Sequence, residues 1–351
     1  MSIGLVKCIA ILKYIGDSDR LTVECNVAKL TRNGQTALLE TESLRLRAAW
    51  LYYNRGLTQK DIAENLGVSR STVIRMLDEA RKRAEVQIWI NEAPAECTAL
   101  ALELEQAFGL EEAIVVPGEG TPESTARDVG AALGTFLSEV ITDHMTLGVG
   151  WGRTLNASLQ TFRPPRREAV KVVSLLGGLL EASTINPVEY SWRVASHLGA
   201  DCLLLLAPLV VDSAETKTRL IERCGLEKLF TKAANLDIAV ISCGDMSPQG
   251  TSLSRGFLNP DDHAALLAAG AICDTLFHFL DAEGRTVHHP IHDRVMSVGL
   301  EAVSNARHIV LASGGKVRAP AIRATILRTG CHTLVTDEAA ARALLNLQVG
   351  E

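Results

Sequence analysis

The sequence predicts an α/β chain: a small helical head followed by a larger parallel sheet wrapped by helices. Three observations carry this. Residues 57–83, LTQKDIAENLGVSRSTVIRMLDEARKR, hold two short amphipathic helices broken at Gly67. Beyond Gly109, short apolar strands without polar alternation take turns with helical stretches, the pattern of strands buried on both faces. Charge is also uneven: residues 45–83 carry nine basic and four acidic side chains, a net of +5 that leaves −11 for the rest of a chain whose total is −6. A basic module on an acidic body fits nucleic-acid binding by the head alone. With 351 residues, 47% of them hydrophobic, the chain can bury about two domain cores.

Residues 1–41 form an extension of unassigned status. The apolar run GLVKCIAILKYI and the strand-like LTVECNVAKL are interrupted by Asp17, Ser18, Asp19 and Asn33-Gly34. The extension is either a small ordered addition or upstream sequence taken in by too early a start codon, and the second reading is favoured. Its start lacks the order of a signal peptide, and no apolar run reaches the roughly 20 residues that span a bilayer. The eight cysteines are scattered with no CxxC pair, as expected of reduced thiols in a cytoplasmic protein.

Residues 42–92 are expected to form a winged helix-turn-helix domain. A first helix, SLRLRAAWLYY, starts at Glu42 and buries Leu44, Ala48, Leu51 and Tyr52. Ile62, Ala63 and Leu66, then Val68, Val73, Met76 and Leu77, mark the inward faces of the helix pair. Gly67 supplies the turn, where φ is often positive, and Ser69 or Ser71 can cap the second helix. That helix is the reader: Ser69, Arg70, Ser71, Thr72 and Arg75 suit phosphate oxygens and base edges, and Thr58 and Gln59 at the start of the preceding helix are grouped with them. VQIWI then reads as the wing, with Trp89 in the core and not a base-stacking platform.

Residues 93–109 are expected to be a linker helix carrying Leu100, Leu102, Leu104 and Phe108, suited either to dimerisation or to packing on the body. Residues 110–351 are the predicted effector-binding domain. Its strand and helix pairs are AIVVPG with about 123–141, TLGVGWG with RTLNASLQTF, VKVVSLLGG with PVEYSWRVASHLGA, CLLLLAP with about 214–229, and DIAVISCG with about 260–267. A strand pair around FHFLDAEGRTVHHP, then HIVLASGG with PAIRATILRTG and TLVTD with a last helix, complete a Rossmann-like doubly wound sheet.

Such sheets bind ligands at the carboxyl ends of their strands, so the turns there hold the candidate site. Gly148-Val149-Gly150-Trp151-Gly152-Arg153-Thr154 can bring backbone N–H groups and the side chains of Arg153 and Thr154 to a phosphate or a polyhydroxy ligand. A dinucleotide fits less well, because the third glycine follows the second by two residues and the next strand ends in Gly177 without an acid. Further candidates are Gly177-Gly178 with Thr184 and Asn186, Gly244-Asp245, Asp281 with Gly284, and Gly314-Gly315 with Lys316 and Arg318. Asp281 could serve as a general base or merely accept hydrogen bonds from hydroxyls. No recognisable catalytic set emerges. His288, His289, His292 and Asp293 lack helical ligand spacing, so neither a metal nor a cofactor is expected.

From about residue 46 to the C-terminus the chain resembles the SorC-type bacterial sugar-responsive transcriptional regulators. The resemblance rests on AAWLYYNRGLTQKDIAENLGVSRSTVIRMLDEAR, GVGWGRTL, FLDAEG with HDR, ASGG with PAIRA, and LVTDEAAARALL. It implies an effector domain related to sugar-phosphate isomerases, homodimers or homotetramers on operator DNA, and control by a sugar, polyol or sugar phosphate. One departure stands out: the family's GGxxK lysine is here Arg318, with Lys316 directly after Gly315, so a phosphate on the effector does not follow from the motif. The expected function is a DNA-binding regulator without enzymatic activity. The alternatives are an isomerase-like enzyme with an appended head, or a purely structural DNA-bridging protein.

Overall fold

The structure, a computed structural model, describes residues 35–83, 85–86, 95–118, 120–179, 186–248, 250, 252 and 258–349, with side chains from residue 43 to 348. Most of the expected wing including Trp89, the Pro94 helix start, Thr184 and residues 1–34 lie outside the described residues. The chain divides into two compact units, residues 1–88 and 89–351.

The first unit is a three-helix head: α1 (Gln35–Tyr53), α2 (Gln59–Leu66) and α3 (Arg70–Lys82). α1 starts seven residues before the expected Glu42, because Gln35 to Thr41 is free of glycine and proline and continues the helix upstream. Ala48, Ala49, Ile62, Ala63, Val73, Met76, Leu77 and Ala80 form the head's core. At Gly67 the chain adopts φ +63°, which lets α2 end in a left-handed cap while its amide donates back to Glu64.

In the second unit α4 (Ala95–Phe108) buries Cys97, Leu100 and Leu104 in the body's larger core and leaves Leu102 exposed, so this helix packs on the body. Seven parallel strands follow in the spatial order β1 (Glu112–Val116), β10 (Thr333–Asp337), β9 (His308–Ala312), β5 (Ile238–Ile241), β2 (Thr146–Val149), β3 (Lys171–Ser174) and β4 (Asp201–Leu203). Alternate residues feed opposite cores: in β5, Ile238 and Val240 face one, Ala239 and Ile241 the other. The first core lies under α5 (Pro122–Val140), α6 (Arg153–Ser158) and α7 (Pro187–Leu198). The second lies under α4, α9 (Glu227–Ala233), α10 (Pro260–Ala268), α11 (Leu300–Ser304), α12 (Ala319–Thr329) and α13 (Glu338–Val349). This two-sided burial is why the strands lack polar alternation.

Two features differ from expectation. The helix expected over about 214–229 is two, α8 (Ala214–Arg223) and α9, parted at Gly225 with φ +79°. A separate three-stranded antiparallel sheet also forms, from β6 (Cys243–Asp245), β7 (Cys273–Thr275) and β8 (His278–Leu280). The sequence suggested only a strand pair near β8. β7 is three residues long, too short to carry a periodic signal of its own.

Candidate DNA interface and effector crevice

In the head, Thr58 caps α2. Its hydroxyl accepts from the Asp61 amide (3.2 Å), its amide donates to Asp61 Oδ2 (3.2 Å), and its hydroxyl also donates there (2.6 Å). These bonds hold the Asp61 carboxyl below its ordinary value. Ser69, and not Ser71, caps α3 by accepting from the Thr72 amide (3.1 Å). The hydroxyls of Thr58 and Ser69 therefore set helix starts, whatever else they touch.

Arg70, Ser71 and Arg75 stand exposed, and Gln59 and Thr72 are half-buried. Among the described residues neither Arg70 nor Arg75 is ion-paired, whereas Arg81 and Lys82 face Asp78 (3.5 and 2.7 Å) and Arg83 faces Glu79 (2.7 Å). Within α3, available positive charge thus lies in the first two turns, and the amino end of this helix is the part that meets base edges in this motif. Arg45, one of the basic residues that make the head positive, is buried and forks onto Glu85, with Nε to Oε2 at 2.7 Å. Ile74 went unnoticed in the sequence. It is 47% exposed on the flank of the face formed by Val73, Met76, Leu77 and Ala80, and its only signal was that it falls off their stripe.

In the body, strand order reverses between β2 and β5: the chain moves from β2 to β3 and β4 on one side, and from β5 to β9 and β10 on the other. Carboxyl ends at such a reversal splay apart and leave a crevice. Here a partly open, polar crevice lies at that reversal. The β2–α6 turn contributes Trp151, Gly152, Arg153 and Thr154 to its wall. The turn's geometry is set from below. Gly130 and Gly134 of α5 let α6 approach so closely that an added Cβ would lie 2.5 Å from the Thr154 carbonyl oxygen or 2.2 Å from that of Ser158. Gly152 itself holds φ +139°, which a side chain would disfavour.

The opposite wall comes from Ser242 to Asp245, Ser252, Asp274, Leu276 and Arg318. Arg318 Nε faces Asp245 Oδ2 at 3.2 Å and its Nη1 donates to the Gly314 carbonyl (3.1 Å). Burial works to raise the Asp245 carboxyl, but the Ser247 hydroxyl and amide and the Arg318 guanidinium together hold it below its usual value. Asp274 is only 5% exposed; burial pushes it up to about 6, against the Ser252 hydroxyl (2.9 Å) and the Phe277 amide, which favour the charged form. Its carboxylate fills the space a side chain at the cross-strand partner Gly244 would need, 2.6 Å from where a Cβ would sit. The β7–β8 turn beside it places Leu276 and Phe277 both at positive φ, +52° and +62°. Non-glycine residues hold that geometry only when packing over-determines it, and both side chains are buried.

Of the candidates read from the sequence, Gly152, Arg153, Thr154 and Arg318 line the crevice, and Gly150 sits just behind it, its amide donating to the Val240 carbonyl (2.8 Å). Gly314 and Gly315 shape the neighbouring turn: the Gly315 amide donates to Asp337 (2.6 Å) and the Gly314 carbonyl accepts from Arg318. Lys316 points to solvent outside the lining. Gly178 and Asn186 lie past the end of β3, where Asn186 caps α7 by accepting from the Val188 amide (3.1 Å). Asp281 is not at the crevice. It accepts from the amides of Glu283 and Arg285 (3.0 and 2.8 Å) and from the Arg285 guanidinium (2.9 Å), which locks a turn. Asp274 and Ser252, deep in the wall, gave no signal, being single polar residues in unremarkable stretches.

An exposed cationic reading helix on one unit and a polar crevice at the switch point of an open α/β sheet on the other define a ligand-responsive DNA-binding regulator. A family profile described as "Putative sugar-binding domain" matches residues 92–346, and one described as "Homeodomain-like domain" matches residues 39–85. The transcriptional regulator LsrR of Klebsiella pneumoniae is 32% identical over 92% of this chain and 99% of its own length. The erythritol catabolism regulatory protein EryD of Brucella abortus is 28% identical over 88% of this chain and 98% of its own. The crystal structure of the full-length sorbitol operon regulator SorC from Klebsiella pneumoniae shares the fold, with TM-score 0.64 at 23% identity over 87% of this chain and 99% of that one. The chain belongs to the SorC-type family of sugar-responsive transcriptional regulators.

Proposed function

We propose that this regulator controls a carbohydrate-catabolic operon in the cytoplasm as a homodimer or homotetramer, with α3 reading operator DNA and a sugar, polyol or sugar phosphate entering the crevice between β2 and β5. Effector binding shifts subunit geometry and so the spacing of paired heads. The observation that carries this reading is the concentration of Asp245, Asp274, Ser252 and Arg318 around one opening at the sheet's switch point, in a chain whose other unit presents the exposed arginines Arg70 and Arg75. Arg70, Arg75, Ser71 and Thr72 supply the DNA contacts, with Gln59, Thr58 and Ser69 at the two helix starts.

Turnover is not part of the proposal. Asp281, the base an isomerase-like reading would need, is tied into its own turn, and burial pushes the Cys243 thiol in the crevice wall up to about 11, leaving it un-ionised at neutral pH. The test is fluorescence anisotropy on the DNA upstream of the gene, with and without a panel of sugars, polyols and their phosphates, while NMR follows each compound. An affinity change without product supports the reading; product formation from any panel compound contradicts it, as does operator binding that no compound alters.

A further inference from the structure

We infer that the crevice is built for a neutral polyol or open-chain sugar whose adjacent hydroxyls donate to the carboxylates of Asp274 and Asp245, and not for a phosphate ester. This deepens the proposed function and rests on the crevice being the effector site. Each guanidinium at the opening already faces a carboxylate: Arg318 faces Asp245 at 3.2 Å, and Arg153 faces Glu123 at 3.8 Å. Asp274, among the described residues, is paired with no cation; its partners are the Ser252 hydroxyl and the Phe277 amide. Among the described residues the opening therefore carries an excess of negative charge in a poorly solvated wall, where a phosphate dianion would meet Asp274 with no unpaired cation to offset it.

Hydroxyl groups suit the same wall. An ionised carboxylate accepts about four hydrogen bonds and donates none, so one Asp274 Oδ1 bond from Ser252 and one backbone bond leave capacity for a pair of hydroxyl donors. Leu276 and Trp151 face the same opening and give the C–H surface of such a ligand an apolar contact. The GGxxK departure fits as well: Arg318 is consumed by Asp245 and Gly314.

The test is titration calorimetry and thermal shift on the full chain with erythritol, ribitol, xylitol and sorbitol, each against its terminal phosphate monoester and against inorganic phosphate, for the natural protein, Asp274→Asn and Ser252→Ala. The expected result is that at least one polyol binds, that its phosphate ester binds about tenfold or more weakly, and that Asp274→Asn loses about tenfold in polyol affinity while narrowing the gap to the ester. Ser252→Ala, which removes only a neutral partner of Asp274, is expected to lose a few-fold and keeps the test decisive if Asp274→Asn does not fold. A phosphate ester that binds more tightly than its parent polyol, or Ser252→Ala and a folded Asp274→Asn that both bind polyol as the natural protein does, overturns the inference and leaves the effector reading intact. Failure of every polyol and ester to bind a protein that still binds its operator overturns the effector reading itself.

Discussion

The head and the body put charge to opposite uses. In the head, Arg70 and Arg75 stand in water on a helix whose start is fixed by Ser69, so their charge costs the fold almost nothing and remains available to a partner. In the body, Asp274, Asp245 and Arg318 sit in a wall largely shut from water, and their charges are part of what the fold must accommodate. Exposed sites can be altered without unfolding the domain; buried ones couple recognition to stability.

Removing one partner of the buried ion pair is expected to have the largest effect. Arg318→Ala leaves Asp245 facing the crevice without its cation and should destabilise the body by about 3 kcal/mol, read as a fall in the urea midpoint. Arg318→Met combined with Asp245→Leu should recover much of that loss, and a double variant no more stable than Arg318→Ala would show that the pair is not the cause.

Titration separates two sets of buried groups that work in opposite directions. Burial pushes His278 and His292 down to about 4, with the His292 charge adding to it at His278 and the His289 charge at His292, and His292 Nε2 must stay unprotonated to accept from the Phe279 amide (3.2 Å). Unfolded histidines take up protons near pH 6.5 while the folded ones do not, so stability falls as pH drops from about 6.5 to about 4, by about 3 kcal/mol for a single such group. Asp274 has the reverse sign. Its folded value near 6 lies above the unfolded 3.8, so its contribution is fully present below about pH 4 and is lost as pH rises through 6. Asp274→Asn should therefore stabilise the protein at pH 8 by about 2–3 kcal/mol and have little effect at pH 4. Equal effects at both pH values would mean that Asp274 is not held against its ionisation.

The head should respond quite differently. Arg70→Ala or Arg75→Ala should shift its melting by no more than about 0.5 kcal/mol yet lower the dependence of operator affinity on salt by about one counterion. A large stability loss would break the contrast with the body. The smallest effect expected is at Ile74, an exposed apolar side chain on the same helix as the two arginines and of the kind that contacts thymine methyls. Ile74→Ala should weaken operator binding a few-fold, and thymine-to-uracil replacement in the operator should then add nothing further at the contacted position.

The same contrast explains what the sequence made legible. The head was readable because its core stripe, its break at Gly67 and its cationic face lie within 27 consecutive residues, where helical spacing alone places every side chain. The parallel strands were readable because each is buried on both faces. The crevice draws instead on turns separated by more than 160 residues, from Trp151 to Arg318, and only the glycine-rich segments advertise themselves. Asp274 lies within AICDTLFHFL, where a lone acid has no partner in view until β6 is laid against β7. Asp281, conspicuous in FLDAEG, proved to be a turn-locking residue because the amides it accepts from are two and four residues away, a local arrangement that the motif alone cannot distinguish from a ligand contact.

In the proposed function, occupancy of the crevice and DNA binding by the head are two readouts of one equilibrium. Linkage requires the coupling to be reciprocal. The most direct measurement is the affinity of the best-binding polyol for the free protein and for the protein saturated with operator DNA, set beside the operator affinity with and without that polyol. The same factor is expected in both comparisons, in the range of about 5- to 150-fold. Polyol affinity that is unchanged by operator DNA would contradict it.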